Sequence, residues 1–425
     1  RVGAWCGQNK YLSAIKNAFQ NFMPLTIAGA IGVLWCNVLV NDQTGLGLFF
    51  KPIMALDFLN PAFQAVNFCT ISCITVGITL GIAQEIGVWN MGAERAGYIP
   101  GLVGLAAWLS VTNTSHMVEG AKEAFTGIAG NELGATGLFT GMIIGVLSVE
   151  LFCFFEKQDA LKIKMPEQVP PGVARAFEVL VPATITLIIT ACIGSACYNL
   201  TGLYLNDVIK NGIQGPLGAV GATIPGVMII YLVIMLFWLV GIHGNNMLSA
   251  VKEALFTPLA LENVEKFNKG EKPTNIINMY ALQMWGEFGG SGVTIGLVIA
   301  IMIFGKREDN KAIASLSLVP GLFNINETVT FGIPMVLNPI LGIPFVVAPL
   351  VTIIIGYVLT VIGFCPVACL TVPWTTPPIV FGFLACGANV MGAVTQAILI
   401  VVSTVIYVPF LIAYEKYQNK QAAEA

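Results

Sequence analysis

The sequence predicts an all-α polytopic membrane protein, with about ten transmembrane helices and two re-entrant hairpins. Three observations predict it. Apolar residues make up 56% of the 425 positions and charged residues only 10%, where a soluble domain carries about 25% charged. Mean hydropathy is +0.81. Runs of roughly twenty mostly apolar residues recur along the chain, the length that crosses a bilayer as a helix. Too few polar groups are present to cover a water-facing surface, so a lipid bilayer is the expected solvent.

The spans fall near 23–40, 67–89, 98–112, 134–155, 176–204, 217–240, 279–303, 338–363, 374–390 and 391–413. Gly and Pro interrupt the third, eighth and ninth, which membrane helices tolerate when neighbours satisfy the freed backbone groups. Residues 1–22 carry Arg1, Lys10 and Lys16 and no acid, which places the N-terminus in the cytoplasm by the positive-inside rule. Four spans later "EKQDALKIKMPEQVPPGVAR", 156–175, returns Lys157, Lys162, Lys164 and Arg175 to the same side. The mixed loop 262–275 reads as solvated, and the side of "GKREDNK", 305–311, stays open.

Two stretches are too polar and broken to cross as one helix. One is "GIHGNNMLSAVKEALFTPLA", 241–260; the other is "SLSLVPGLFNINETVTFGIP", 315–334. Both are expected as re-entrant hairpins. Irregular backbone at membrane depth survives only inside protein or against a water-filled cavity, and such broken segments commonly carry transporter substrate sites.

Composition also excludes. A net charge of −3 without a basic block gives no footprint for nucleic acid. The ten cysteines lie mostly in apolar runs with no CxxC pairing, and so read as reduced core residues rather than disulfides or zinc ligands. No metal and no cofactor is expected. The start has no signal-peptide pattern, and Arg1 in place of an initiator Met suggests a truncated beginning.

The candidate residues follow from cost. An ionisable group at membrane depth costs about 2.5–3.5 kcal/mol and needs a partner, water or a ligand. Glu327 is such a group, and Asn324 and Asn326 beside it offer amide donors and acceptors. A carboxylate flanked by amides suits a sugar, whose hydroxyls must each be paired as they leave water. The plainer alternative is an N-cap built from Asn324 and Glu327. His243 follows a deep apolar helix at a Gly-flanked break, and its neutral ring donates and accepts at once. The plainer reading there is a histidine that ties down a turn. His116 lies in a loop and reads as solvated. Trp238 and Trp374 could stack on a pyranose while the N–H bonds a hydroxyl, although interface belts also use Trp. "EFGGSGVTIGL", 287–297, lacks the lysine and context of a phosphate loop; close helix packing through small residues explains it.

On "MPLTIAGA" (23–30), "GIHG" (241–244), "GGSGVTIGL" (289–297), "FNINETVTFGIPMVLNPILGIPFVVAPL" (323–350) and "PWTTPP" (373–378), the chain resembles the membrane IIC component of the bacterial sugar phosphotransferase system. The nearest likeness is the lactose/cellobiose/diacetylchitobiose family. The family usually has proline after the glutamate of the NINE-type segment, and here Thr328 stands there.

The resemblance implies ten membrane helices, two re-entrant hairpins and a homodimer in the bacterial cell membrane. It implies an N-terminal half (1–175) with part of the dimer interface, a connecting span and amphipathic segment (176–216), and a C-terminal sugar-binding half (217–425). It implies that His243 and Glu327 contact a disaccharide, with Trp238, Asn326 and Trp374 lining the site; Asn324, beside them in the sequence, is a further candidate for binding the sugar. It implies that the sugar moves inward by an elevator-like motion. It implies further that a phosphorylated IIB protein, fed by IIA, then phosphorylates the sugar 6-hydroxyl, with Glu327 or His243 as candidate proton acceptors. No IIA or IIB domain is visible, so the phosphoryl donor is expected on a partner, and whether the chain itself counts as an enzyme stays open. Two other readings are a proton-coupled secondary sugar transporter, with Glu327 as proton site, and a membrane enzyme acting on a lipid-linked sugar.

Overall fold

The computed structural model describes residues 9–42, 46–116, 125–166, 168–216, 221–333 and 335–424. Arg1, the first residues of the 217–240 span and Pro334 at the end of the second expected hairpin lie outside the described residues. The principal helices are α1 (Lys10–Leu34), α2 (Ile74–Met91), α3 (Ile99–Val111), α4 (Ala135–Glu156), α5 (Pro171–Thr201), α6 (Ile224–Leu239) and α7 (Gly244–Asn268). They continue with α8 (Met279–Gly286), α9 (Ile295–Phe304), α10 (Glu308–Leu322), α11 (Glu327–Gly332), α12 (Gly342–Val361), α13 (Val380–Ala385) and α14 (Val390–Glu424). One antiparallel strand pair, Ser115–His116 with Phe125–Thr126, sits between α3 and α4. His116 therefore belongs to a short hairpin, its ring 5.6 Å from that of Phe125.

Among the described residues five helical stretches are long and apolar enough to cross a membrane: Lys10–Leu39, Thr136–Glu156, Pro171–Thr201, Gly342–Val361 and Val390–Gln421. Two bent pairs, Lys51–Ser72 with Ile74–Met91 and Met279–Val293 with Ile295–Phe304, bring the number to seven if each pair is one span. The chain is thus a multi-pass helical membrane protein, but the expected ten spans do not all have this form. Residues 98–112 and 217–240 give the shorter apolar helices α3 and α6. The expected span 374–390 is corrected outright: it holds only the six-residue α13 between turns. Pro373, Pro377 and Pro378 remove donors and fix φ before it, and Gly387 (φ +72°) turns the chain after it.

The chain divides into two compact units. The first comprises Arg1–Thr26 and Phe68–Gly218, the second Ile27–Asn67 and Ala219–Ala425. In the first unit, α2, α3 and α4 pack through small residues. A Cβ added to Gly104 would stand 2.3 Å from that of Ala83, and one on Gly141 would stand 2.2 Å from Oγ1 of Thr79. Such close approach is how helices associate where lipid offers no hydrophobic contrast. Most of α5 stays uncovered, with 22% of its most apolar window buried and Leu180, Ile188 and Ile193 exposed. The nearly buried Glu156 carboxylate, at the end of α4, is held by both Arg95 (2.8 Å) and Arg175 (2.9 Å).

The second unit has one large core, to which α6, α7, α8, α9, α12 and α14 contribute Tyr231, Phe256, Trp285, Ile301, Phe345 and Tyr407. Residues 241–260 do not fold back on themselves as a hairpin. A turn at 240–243 leads into α7, which runs unbroken for 25 residues with Pro258 inside it. Its propensity for good helix formers from Met247 onward outweighs the polar start. The second broken stretch does form a helix–turn–helix, α10 to α11, but its first arm begins at Glu308. The loop "GKREDNK" is tied to α14: Glu415 accepts the backbone N–H groups of Lys306 (2.8 Å) and Arg307 (3.3 Å). Among the described residues nine cysteines are free thiols. Cys153, Cys365, Cys369 and Cys386 are core residues, whereas Cys69 and Cys192 are exposed.

Candidate functional site

Two helices of the second unit end in the same way, and both endings carry candidate residues. At the end of α6 the N–H of Gly241 bonds the carbonyl of Trp238 (3.0 Å) and the N–H of Ile242 bonds that of Phe237 (3.0 Å). This paired pattern needs a left-handed residue just past the helix, and Gly241 supplies it with φ +81°. At the end of α10 the N–H of Asn324 bonds Gly321 (3.1 Å) and that of Ile325 bonds Pro320 (3.0 Å), with Asn324 at φ +63°. Asparagine is the residue after glycine best suited to that position. The two breaks therefore place His243 and Glu327 immediately beyond helix ends.

His243 is the N-cap of α7, and its Nδ1 accepts the backbone N–H of Asn246 at 3.2 Å. Gly244 after it is required by space, since a Cβ there would stand 2.0 Å from the carbonyl oxygen of Ile234. With Nδ1 accepting, the neutral ring carries its proton on Nε2 and presents a donor. The ring packs on Trp238, with centroids 4.4 Å apart. Trp238 itself is 3% exposed, and its buried indole N–H has no partner among the described residues. It supports His243 from behind rather than offering an open stacking face.

Glu327 opens α11 at its first position, where the helix dipole favours a carboxylate. Its side chain is exposed, and it has no hydrogen bond among the described residues. The expected capping pair of Asn324 and Glu327 does not form. Asn326 is the cap residue, and its side chain makes no capping bond. The charged groups acting on the His243 ring are Glu327 and, more weakly, Lys252. Thr328 stands at the second position of α11, in the first turn whose N–H groups have no partner within the helix.

The two asparagines are engaged with backbone. Asn324 accepts the N–H of Gly289 (2.6 Å) and donates to the carbonyls of Trp374 and of Thr376 (3.2 Å). Asn326, 4% exposed, donates to the carbonyl of Ser291 (2.8 Å). Trp374 is 42% exposed, so the loop carrying it is fastened to the NINE segment through Asn324 while its ring remains accessible. Thus Trp238 packs on His243, Glu327 lies within electrostatic reach of that ring, and Asn324, Asn326 and Trp374 meet around the segment that carries Glu327.

The hub of these bonds is the Gly-rich turn 287–292. Gly289, Gly290 and Gly292 all have positive φ (70°, 86° and 78°). A Cβ on Gly290 would lie 2.6 Å from the Asn326 side chain, and one on Gly292 2.4 Å from the Phe345 ring. Packing through small residues is thus only part of its role; the turn also seats the asparagines. Ser291 joins the other broken segment as well, accepting from the Asn245 amide at 2.9 Å. Sequence reasoning missed Asn245, Ser291, Tyr231, Lys252 and Glu287. The same rule that singled out Glu327 applied to Glu287, which lies inside the expected span 279–303.

Among the described residues no group of three or more His, Cys, Asp or Glu side chains could hold a metal. Known proteins resemble the chain closely. The family described as "Phosphotransferase system, EIIC" matches residues 16–349. The oligo-beta-mannoside-specific EIIC component of Bacillus subtilis is 33% identical, covering 96% of this chain and 90% of that protein. The cellobiose-specific EIIC component of Lactococcus lactis is 30% identical, over 99% and 97% of the two. The lactose-specific EIICB component of Staphylococcus aureus is 33% identical over 96% of this chain and 69% of its own length. The crystal structure of ChbC, the IIC component of an N,N'-diacetylchitobiose-specific system, superposes with a TM-score of 0.90 at 29% identity, covering 99% and 97% of the chains.

Proposed function

The chain belongs to the phosphotransferase system EIIC family, and from that premise we propose that it is the membrane permease for a β-linked disaccharide of the cellobiose type. The observation that carries the reading is an exposed carboxylate, Glu327, with no hydrogen bond among the described residues, within electrostatic reach of a histidine whose outward nitrogen is a donor. Glu327 accepts hydrogen bonds from sugar hydroxyls, and His243 donates to a hydroxyl oxygen through Nε2. Trp374 supplies a stacking face, and Trp238 fixes the His243 ring from behind. Asn324 and Asn326 hold the segment that carries Glu327.

Phosphoryl transfer asks the protein chiefly for positioning and charge management. A phosphorylated IIB protein brings the phosphoryl group to the sugar 6-hydroxyl, whose proton must leave. Glu327 is the acceptor for it. His243 is the poorer choice, because a proton on Nδ1 would break the bond to Asn246 that starts α7. The Staphylococcus aureus relative is an EIICB component of which this chain covers 69%, which supports a IIB partner working against this chain. The sugar is carried inward by an elevator-like motion, in a homodimer within the cell membrane, with the N-terminus in the cytoplasm.

Vesicles containing the purified chain test this reading. Sugar should accumulate as its 6-phosphate when IIA, IIB, the general phosphotransferase proteins and phosphoenolpyruvate are supplied. Accumulation of unmodified sugar under a proton gradient, without those proteins, would instead support the secondary transporter with Glu327 as proton site.

A further inference from the structure

A further acid of the same unit, Glu287, is half-buried. Oε1 of Glu287 accepts the hydroxyl of Tyr231 at 2.7 Å and forms an ion pair with Nζ of Lys252. The Lys252 ammonium also lies 5.5 Å from the centroid of the Tyr231 ring. Lys252 is 6% exposed, the one buried basic residue among the described residues. Its neighbour Glu253 accepts from Thr257 and stands within electrostatic reach of both Lys252 and Glu287.

This cluster joins three elements at one oxygen: α6 through Tyr231, α7 through Lys252, and the Gly-rich turn through Glu287. Tyr231 lies two helical turns before Trp238, on the same face of α6. The carbonyl of Glu287 accepts the N–H of Gly290 (3.0 Å) and so begins the turn. That turn gives the Gly289 N–H to Asn324, the Ser291 carbonyl to Asn326 and the Ser291 hydroxyl to Asn245. A continuous series of bonds therefore runs from Glu287 to the two asparagines that precede Glu327 and to Asn245 in the first turn of α7.

We infer that Lys252, Glu287 and Tyr231 are positioning residues, which set the place of Glu327 relative to His243 through the Gly-rich turn without touching the sugar. The inference rests on the reading of His243 and Glu327 as the sugar site. Stability alone is a poor reason for such a cluster. A buried ion pair can often be replaced by neutral groups at little net cost, whereas removing one partner leaves an uncompensated charge. Fixed geometry is what the intact pair adds.

The test separates stability from affinity in the purified full-length chain. Thermal unfolding and equilibrium binding are measured with cellobiose, diacetylchitobiose, lactose and mannobiose, and the tightest binder is followed. Lys252→Met and Glu287→Gln alone should lower both midpoint and affinity. The double variant Lys252→Met/Glu287→Gln should regain most of the midpoint while its affinity stays at least ~10-fold weak. Lys252→Arg, which keeps the pair, should bind near the wild-type value. Affinity that recovers together with the midpoint in the double variant would overturn the inference. If the double variant does not fold, Tyr231→Phe decides, because it deletes one hydroxyl and keeps the ion pair. An affinity a few-fold weaker at a near-wild-type midpoint supports positioning, and an unchanged affinity overturns it. A wild-type chain that binds none of the four sugars overturns the sugar-site reading itself, and the inference with it.

Discussion

Nδ1 of His243 accepts the backbone N–H of Asn246 at 3.2 Å, so one nitrogen of the ring starts helix α7 and the other faces away from it. The two tasks can be separated by substitution.

Asparagine is itself a favoured N-cap, whereas leucine is not, and loss of a cap costs about 0.5–2 kcal/mol. His243→Asn should therefore unfold near the wild-type temperature but bind sugar ~1–2 kcal/mol more weakly, the size of one lost hydrogen bond. His243→Leu should lose both stability and affinity. Wild-type affinity in the asparagine variant would show that Nε2 does not meet the sugar.

Asn324 is a clamp. Its amide satisfies the Gly289 N–H and the carbonyls of Trp374 and Thr376. Asn324→Ala should destabilise by about 1–3 kcal/mol, the penalty for stranding buried polar groups, with a further contribution from the left-handed backbone that alanine disfavours. Asn324→Asp keeps the acceptor for Gly289 but turns a carboxylate oxygen toward two carbonyls, so its thermal midpoint should fall at least as far. Midpoints equal to wild type in both variants would reject the clamp.

Gly290→Ala would force a Cβ into the Asn326 side chain at a backbone angle of φ +86°. A cost of about 1–3 kcal/mol is expected from overpacking alone, with weakened sugar binding because Asn326 immediately precedes Glu327. Gly172→Ala is the control, since nothing lies within 4 Å of an added Cβ there. Equal thermal midpoints for the two variants would contradict the seating of Asn326 on this turn.

Much of the site was legible in the sequence, because the physics that marks it is local. An acid within an apolar stretch is expensive wherever it lies, and that cost alone singles out Glu327. The same argument applied to Glu287 and was not carried through, since the Gly-rich stretch around it read as helix packing. Bonds such as Asn324 to Gly289 or Asn245 to Ser291 join residues 35 and 46 positions apart, and no periodicity within a segment records them. Helix type was legible in long periodic runs such as Val390–Glu424. The segment 374–390 was not, because its apolar composition suits a span while its prolines forbid one. The unbroken α7 was obscured for the opposite reason: a polar cap region, "GIHGNN", resembles a break when read without the helix it starts.

Equilibrium binding of the preferred disaccharide to the wild-type chain and to Glu327→Gln bears most directly on the site. The side chain makes no hydrogen bond among the described residues, so the substitution should cost the sugar-free protein no more than the helix-dipole contribution, about 0.3–1 kcal/mol, and lower its thermal midpoint only slightly. Affinity should fall by about 1–3 kcal/mol, as expected for losing a charged acceptor. Equal affinity in the two proteins would contradict the assignment of Glu327 to the sugar.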